Sequence, residues 1–223
     1  MRAPKTYLRA ALIAGVLATV AVPATVAVPA TMAVADAETV PAKAAANMSP
    51  LVNVAASLPK VSASQLLKIA ESQVGVSENS SGGGTKFHEW YMNSPRAKET
   101  VARDGGSVAA YANAPWCDMF VSWVGEQAGL RPVFGWDAYT VQHAKWFKDN
   151  HRWGNTAEPG AVVFFNWNGG KDIYGVEHVG LVIKDNGDGT IKTVEGNTGN
   201  GKVEIRTRPM SQVAGFGYPV YTA

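Results

Sequence analysis

The 223-residue sequence predicts an α+β domain in which N-terminal helices pack on an antiparallel sheet of about five to six strands. Helical apolar spacing recurs between residues 62 and 153, and strand texture starts at Gly160 and runs to the end. Helices therefore precede strands instead of alternating with them, which favours antiparallel pairing over βαβ units.

The first residues are expected to lie outside that domain. Arg2, Lys5 and Arg9 precede an apolar segment of Ala, Leu, Ile and Val and then small-residue A-x-A sites, the pattern of a secretory signal peptide. Ala33-Val34-Ala35 and Ala35-Asp36-Ala37 both fit the cleavage pattern; residues 1–37 are assigned to the signal, with cleavage after Ala37. No twin arginine is present, so the general secretion route is expected. Pro23 and Pro29 interrupt the apolar stretch, which falls short of the roughly 20 residues a membrane span needs. The mature chain is expected to be extracellular, either free or cell-wall associated, with no membrane span.

Charge and cysteine content exclude several classes. The formal charge of +2 becomes neutral without residues 1–37, which hold three basic residues and Asp36. Nucleic acid is therefore not an expected partner. One cysteine in an exported chain excludes an intramolecular disulfide and a zinc site of paired Cys-x-x-Cys type.

Residues 38–61 are rich in Ala, Pro, Val, Ser and Asn and read as a flexible linker, with the folded domain spanning 62–223. Ser62-x-x-Gln65 has the form of a capping box ahead of Leu66, Leu67, Ile69, Ala70 and Val74, and Gly75 ends that helix. The stretch SENSSGGGTKFHEWYM follows; its glycine run reads as a mobile surface loop and lacks P-loop spacing. Asp137 to Trp153 is expected to be a further helix, with Val141, Ala144, Trp146 and Phe147 turned inward. His88, His143 and His151 are read as surface or packing histidines, since no HExxH or i, i+4 histidine pair links them. No metal or cofactor is expected. The strands AVVFFNW, HVGLVIK, TIKTVEG, KVEIRTR and GFGYPVY are separated by Gly, Asn and Asp turns.

The stretch APWCDMFVSWVGEQAGL, residues 114–130, is the centre of the chain. Pro115 suits a helix start, Phe120, Trp123, Val124 and Ala128 follow at helical spacing, and Gly129-Leu130 closes the helix. Cys117 then sits in the first turn, where the helix dipole and unpaired N–H groups favour a thiolate, the nucleophilic form. Asp118, a neighbouring anion, works partly against that ionisation. A lone cysteine also fits a packing role, so partners are needed.

Alternation in HVGLVIK puts Val179, Leu181 and Ile183 on one face and His178, Gly180 and Val182 on the other. A hairpin turn centred on Asn186-Gly187 would place His178 directly opposite Glu195, with Asn197 on the same face. An odd-length loop would instead send Glu195 to the opposite face. If the Cys117 helix packs on the His178 face, nucleophile, base and orienting carboxylate converge.

In order along the chain, PWCDMFVSWV, EPGAVVFFNW, EHVGLVI and TVEGNT resemble the CHAP domain, the cysteine- and histidine-dependent amidohydrolase/peptidase family, in a secreted bacterial member. The resemblance runs from about residue 62 to residue 223. It implies a papain-like (NlpC-type) fold and action on peptidoglycan as an amidase or endopeptidase through a thioester acyl-enzyme. It also implies Cys117 as nucleophile, His178 as base, Glu195 as orienting acid and Asn197 as an accessory polar residue. Asp118 stands where many members have a small residue, and Ala161 where many have an acidic one. No acidic loop resembles the calcium site of some phage members.

Trp116, Asn166 and Trp167 are expected to line the substrate groove, with Asp118 bearing on substrate preference. The expected protein is a monomeric, secreted peptidoglycan hydrolase that binds peptide stems. The alternatives are an exported cysteine peptidase or acyl transferase acting on proteins, and a non-catalytic wall-associated module.

Overall fold

The first helix among the described residues, α1 (Leu51–Ala55), lies inside the stretch expected to be a linker. Leu51 and Ala55 are buried in the main core, so the domain begins upstream of Ser62. A five-residue helix is too short to show a period against an Ala- and Val-rich background. The structure, a computed structural model, describes residues 50–223; the signal-peptide assignment to residues 1–37 lies outside the described residues. Among the described residues no helix is long and apolar enough to cross a membrane.

The capping box at Ser62 forms at the head of α2 (Ala63–Glu71), with Gln65 N–H donating to Ser62 Oγ and Ser62 N–H donating to Gln65 Oε1. The expected mobile loop is corrected in its second half, where α3 (Lys86–Asn93) follows another capping box. There Thr85 is the cap and His88 takes the position usually held by Glu or Gln. Its glycine run is also packed: a Cβ on Gly83 would meet the Ala112 carbonyl oxygen. Next comes α4 (Pro95–Asp104), with Ser94 as cap and Pro95 at its first position, and then a 3₁₀ segment, Val108–Asn113.

The central helix is α5 (Cys117–Gln127), and Cys117 is its first residue. Its end is a Schellman motif: Leu130 N–H donates to Gly125 O, Gly129 N–H donates to Glu126 O, and Gly129 has φ 71°. Two more helices follow, α6 (Arg131–Phe134) and α7 (Thr140–Asp149). The latter is shorter than the expected 137–153.

The sheet has six antiparallel strands: β1 (Trp153–Gly154), β2 (Val162–Phe165), β3 (His178–Asp185), β4 (Thr190–Thr198), β5 (Lys202–Pro209) and β6 (Val213–Gly217). Their spatial order is β1-β6-β2-β3-β4-β5. This is an α+β architecture consistent with the papain-like class. Val179, Leu181 and Val194 join Met119, Phe120 and Val124 in the main core, while Val163, Phe165, Val182, Ile191, Val213 and Phe216 form a second cluster. Helix α5 therefore covers the face opposite His178, not the face expected. Gly196 makes this close packing possible, because a Cβ there would stand 2.6 Å from Phe120 Cβ.

The β3–β4 register also differs from the expected one. Asp185 pairs with Ile191, leaving an odd connection of residues 186–190. An irregularity between Val182 and Lys184 then shifts the ladder by one, so that Leu181 pairs with Val194. The odd loop and the bulge cancel in parity. Glu195 consequently reaches the predicted face, opposite Gly180 instead of opposite His178.

Candidate active site

Two elements begin at one place. Cys117 opens α5 and His178 opens β3, so the two meet at element termini even though the helix covers the other face of the sheet. His178 hydrogen-bonds with Cys117, and its Nε2 donates to Glu195 Oε2 at 2.9 Å. With Nε2 committed to Glu195, Nδ1 is the ring nitrogen left for the thiol. Cys117 is 6 % exposed, His178 7 % and Glu195 fully buried, so the trio is screened from bulk water but not sealed.

Glu195 is held on both oxygens. Thr193 Oγ1 donates to Oε1 at 2.7 Å, Arg208 Nε to Oε1 at 2.9 Å and Arg208 Nη2 to Oε2 at 2.6 Å. Burial pushes the Glu195 carboxyl up, but Arg208, His178 and Thr193 outweigh it and bring it to about 2. Burial likewise pulls the His178 imidazole down, while its bonds and charge interactions with Cys117 and Glu195 raise it to about 9. The contacts with Cys117 and Glu195 thus favour the protonated form of the group facing Cys117.

The start of α5 supplies a second element of chemistry. Trp116 at the N-cap makes no side-chain cap, which leaves the first N–H groups of the helix without a capping side chain. They adjoin a cleft of about 310 Å³ whose lining includes Tyr111, Pro115, Cys117, Tyr139, Val176 and Glu177. Such donors, preorganised beside a nucleophile, are suited to an oxyanion.

The CHAP domain family model matches residues 109–197. That stretch is a CHAP domain. Membership implies hydrolysis of the amidase or peptidase type, and the match takes in Cys117, His178, Glu195 and Asn197. Arg208 and helices α1 to α4 lie outside it. Comparison with curated proteins and with solved structures finds no match.

Within the CHAP site, three of the four expected groove residues are placed elsewhere. Trp116 is fully buried, stacked on Phe87 at 5.4 Å with its Nε1 donating to Glu78 Oε2; it anchors the helix start from the core side. Asp118 is also fully buried, and its Oδ1 lies 2.7 Å from His143 Nδ1. Burial pushes the Asp118 carboxyl up; burial pulls the His143 imidazole down, but Asp118 outweighs this and raises it. Asp118, the second residue of α5, turns inward to His143 of α7 and is not among the residues that line the cleft. Asn166 is buried and accepts from Asn168 N–H, bracing the loop after β2. Trp167 does reach the site: it is 37 % exposed and stacks on His178 at 5.4 Å.

Asn197 sits in a second ladder irregularity, between Glu195 and Thr198, with φ 53°. Simple alternation does not carry through that bulge, and among the described residues Asn197 makes no side-chain hydrogen bond to His178 or Glu195. Their polar partners are instead Thr193 and Arg208. Thr193 was legible as a residue two before Glu195 on one strand face; Arg208 had no local signal. His88 is another contributor, since its Nε2 donates to the Ala114 carbonyl and ties the segment before Cys117 to α3.

Proposed function

We propose that the protein is a secreted, cysteine-dependent peptidoglycan hydrolase, an amidase or endopeptidase acting as a monomer on the peptide stems of the cell wall. The contact of Cys117 with a histidine held by a buried carboxylate, at an uncapped helix start that opens on a cleft, carries this reading. CHAP membership supports the reaction class. The basic, apolar and A-x-A pattern of residues 1–37 supports export.

In this mechanism the Cys117 sulfur attacks the amide carbonyl carbon from the thiolate–imidazolium form of the pair. The developing oxyanion is met by backbone N–H groups at the start of α5. His178 gives its proton to the departing nitrogen as the C–N bond breaks, leaving a thioester on Cys117. A water then loses a proton to His178 and attacks the thioester; the acid product leaves and the thiolate–imidazolium pair is restored. Glu195 fixes the ring and its charge throughout. Alanines 114 and 138, Pro115 and Val176 make much of the cleft wall apolar, with Glu177 as its charged residue. Such a cleft suits a slim peptide of small side chains that carries an ammonium group.

Digestion of purified peptidoglycan by the wild-type protein and by Cys117→Ala, with fragments identified by mass spectrometry, tests the proposal. Release of stem peptides or cut crossbridges by the wild type alone supports it and names the bond. Equal inertness of both proteins on walls of several chemistries would overturn it, and cleavage of denatured proteins instead would favour an exported protein peptidase.

A further inference from the structure

Arg208 lies on β5, beyond the matched CHAP residues, and closes a ring of contacts around His178. Its guanidinium takes both oxygens of Glu195 and also donates to Thr198 Oγ1 at 3.0 Å. The same group lies 5.0 Å from the Trp167 ring and 5.8 Å from the Phe165 ring. Both rings stack on the His178 imidazole, at 5.4 and 5.8 Å and 29° between planes. Arg208 therefore touches the carboxylate that holds one edge of the histidine and the aromatic rings that hold its face.

We propose that Arg208 is a positioning residue of the hydrolytic reaction, acting through Glu195 and Trp167 to fix the plane and charge of His178 without touching substrate. A glutamate has several rotamers and two equivalent oxygens, so a buried one can turn away from a histidine or share its proton. The planar fork of an arginine occupies one lone pair on each oxygen and leaves Oε2 aimed at Nε2. A lysine would supply the charge but neither the fork nor the flat surface on which Trp167 rests. The surrounding charges are consistent with this role. Glu195 faces Arg208 and His178 with the Thr193 hydroxyl; His178 faces Cys117 and Glu195; Arg208 faces Glu195 and feels the charge of Glu204, which is itself paired with Arg206. In the ion-pair form of the site, Cys117, His178, Glu195 and Arg208 are alternating charges, and removing the last loosens the one before it.

The proposal rests on the assignment of Cys117 and His178 under "Proposed function", so its test includes a readout that needs no substrate. Iodoacetamide alkylation of Cys117 is measured across pH in the full protein, in Arg208→Lys and in Arg208→Met, beside kcat and KM on peptidoglycan fragments. Arg208→Met is expected to lose alkylation rate at mildly acidic pH by on the order of tenfold, equivalent to a shift of one pH unit in the profile. Its kcat should fall by on the order of 10²-fold with KM unchanged. Arg208→Lys should keep the wild-type alkylation profile, because charge is retained, and lose kcat to a smaller degree. Unchanged alkylation and kcat profiles in both variants would overturn the proposal. If Arg208→Met does not fold, an undiminished kcat in Arg208→Lys overturns the role of the fork by itself. Altered alkylation profiles without hydrolysis of any wall substrate would instead count against the proposed function and leave Arg208 as a positioning residue.

Discussion

A Cβ on Gly180 would stand 2.7 Å from the Cγ of Glu195. Gly180 is the residue across the ladder from Glu195, and its missing side chain is what lets the carboxylate lie flat along the sheet and reach His178 on the diagonal. Gly180→Ala should push Glu195 out of line. Overpacking of this kind costs about 1–3 kcal/mol, visible as a lower urea midpoint, while kcat should fall further than that loss of stability accounts for. A variant with wild-type kcat would show that Glu195 can reach His178 by another route.

The charge state of His178 sets an alkaline limit. Its ordinary value of 6.5 is raised to about 9, so its contribution to stability is fully present below about pH 6.5 and lost as pH rises through about 9. In the proposed mechanism loss of the proton also removes the acid that serves the departing amine, so kcat/KM should decline above about pH 9. Glu195→Gln removes one of the two anions that hold this proton, and the alkaline limb should move to lower pH. Glu195, lowered from 4.5 to about 2, contributes stability that is present above about pH 4.5 and lost only as pH falls through about 2. A pH–rate profile of the two proteins checks the alkaline limb, and urea unfolding of the wild type across acidic pH checks the other.

Asp118 and His143 form a fully buried pair in the main core, one residue from Cys117. Removing one partner leaves the other without its counter-group. Asp118→Ala should therefore cost about 3–5 kcal/mol in urea unfolding. Because Asp118 points away from the cleft, KM at a temperature where the variant is folded should be unchanged. A raised KM with unaltered stability would restore Asp118 to the groove.

Leu51 tests the domain boundary. It is buried in the main core from within the expected linker, so Leu51→Ala should destabilise the protein by about 2–5 kcal/mol. A neutral substitution would mean that α1 is not part of the folding unit.

The parts of the site that the sequence disclosed are those written in local periodicity. Pro115, the apolar spacing after Cys117 and Gly129 define a helix whose first residue is Cys117, and strand alternation puts His178 and Glu195 on one face. Alternation gave the right face even though the hairpin connection is odd, because a bulge near Ile183 restores parity; neither deviation has a distinct local signature. Long-range features were hidden. Arg208 pairs with Ile191 in the ladder and reaches Glu195 along the sheet face, a route fixed by the β4–β5 register and not by spacing in KVEIRTR. Trp116 and Asp118 were misplaced for a related reason: adjacency to Cys117 in the chain says little at a helix start, where successive side chains point in directions about 100° apart. His88 completes a capping box from an atypical residue type, which concealed α3.

The central claim is that Cys117 carries the acyl group during hydrolysis. Its most direct test is mass spectrometry of the protein quenched in acid during turnover of peptidoglycan fragments, followed by mapping of the Cys117 peptide. The account predicts a thioester adduct on that peptide, equal in mass to the acyl half of the cleaved amide and absent from Cys117→Ala. Sustained hydrolysis by Cys117→Ala, with no adduct on the wild-type cysteine, would contradict it.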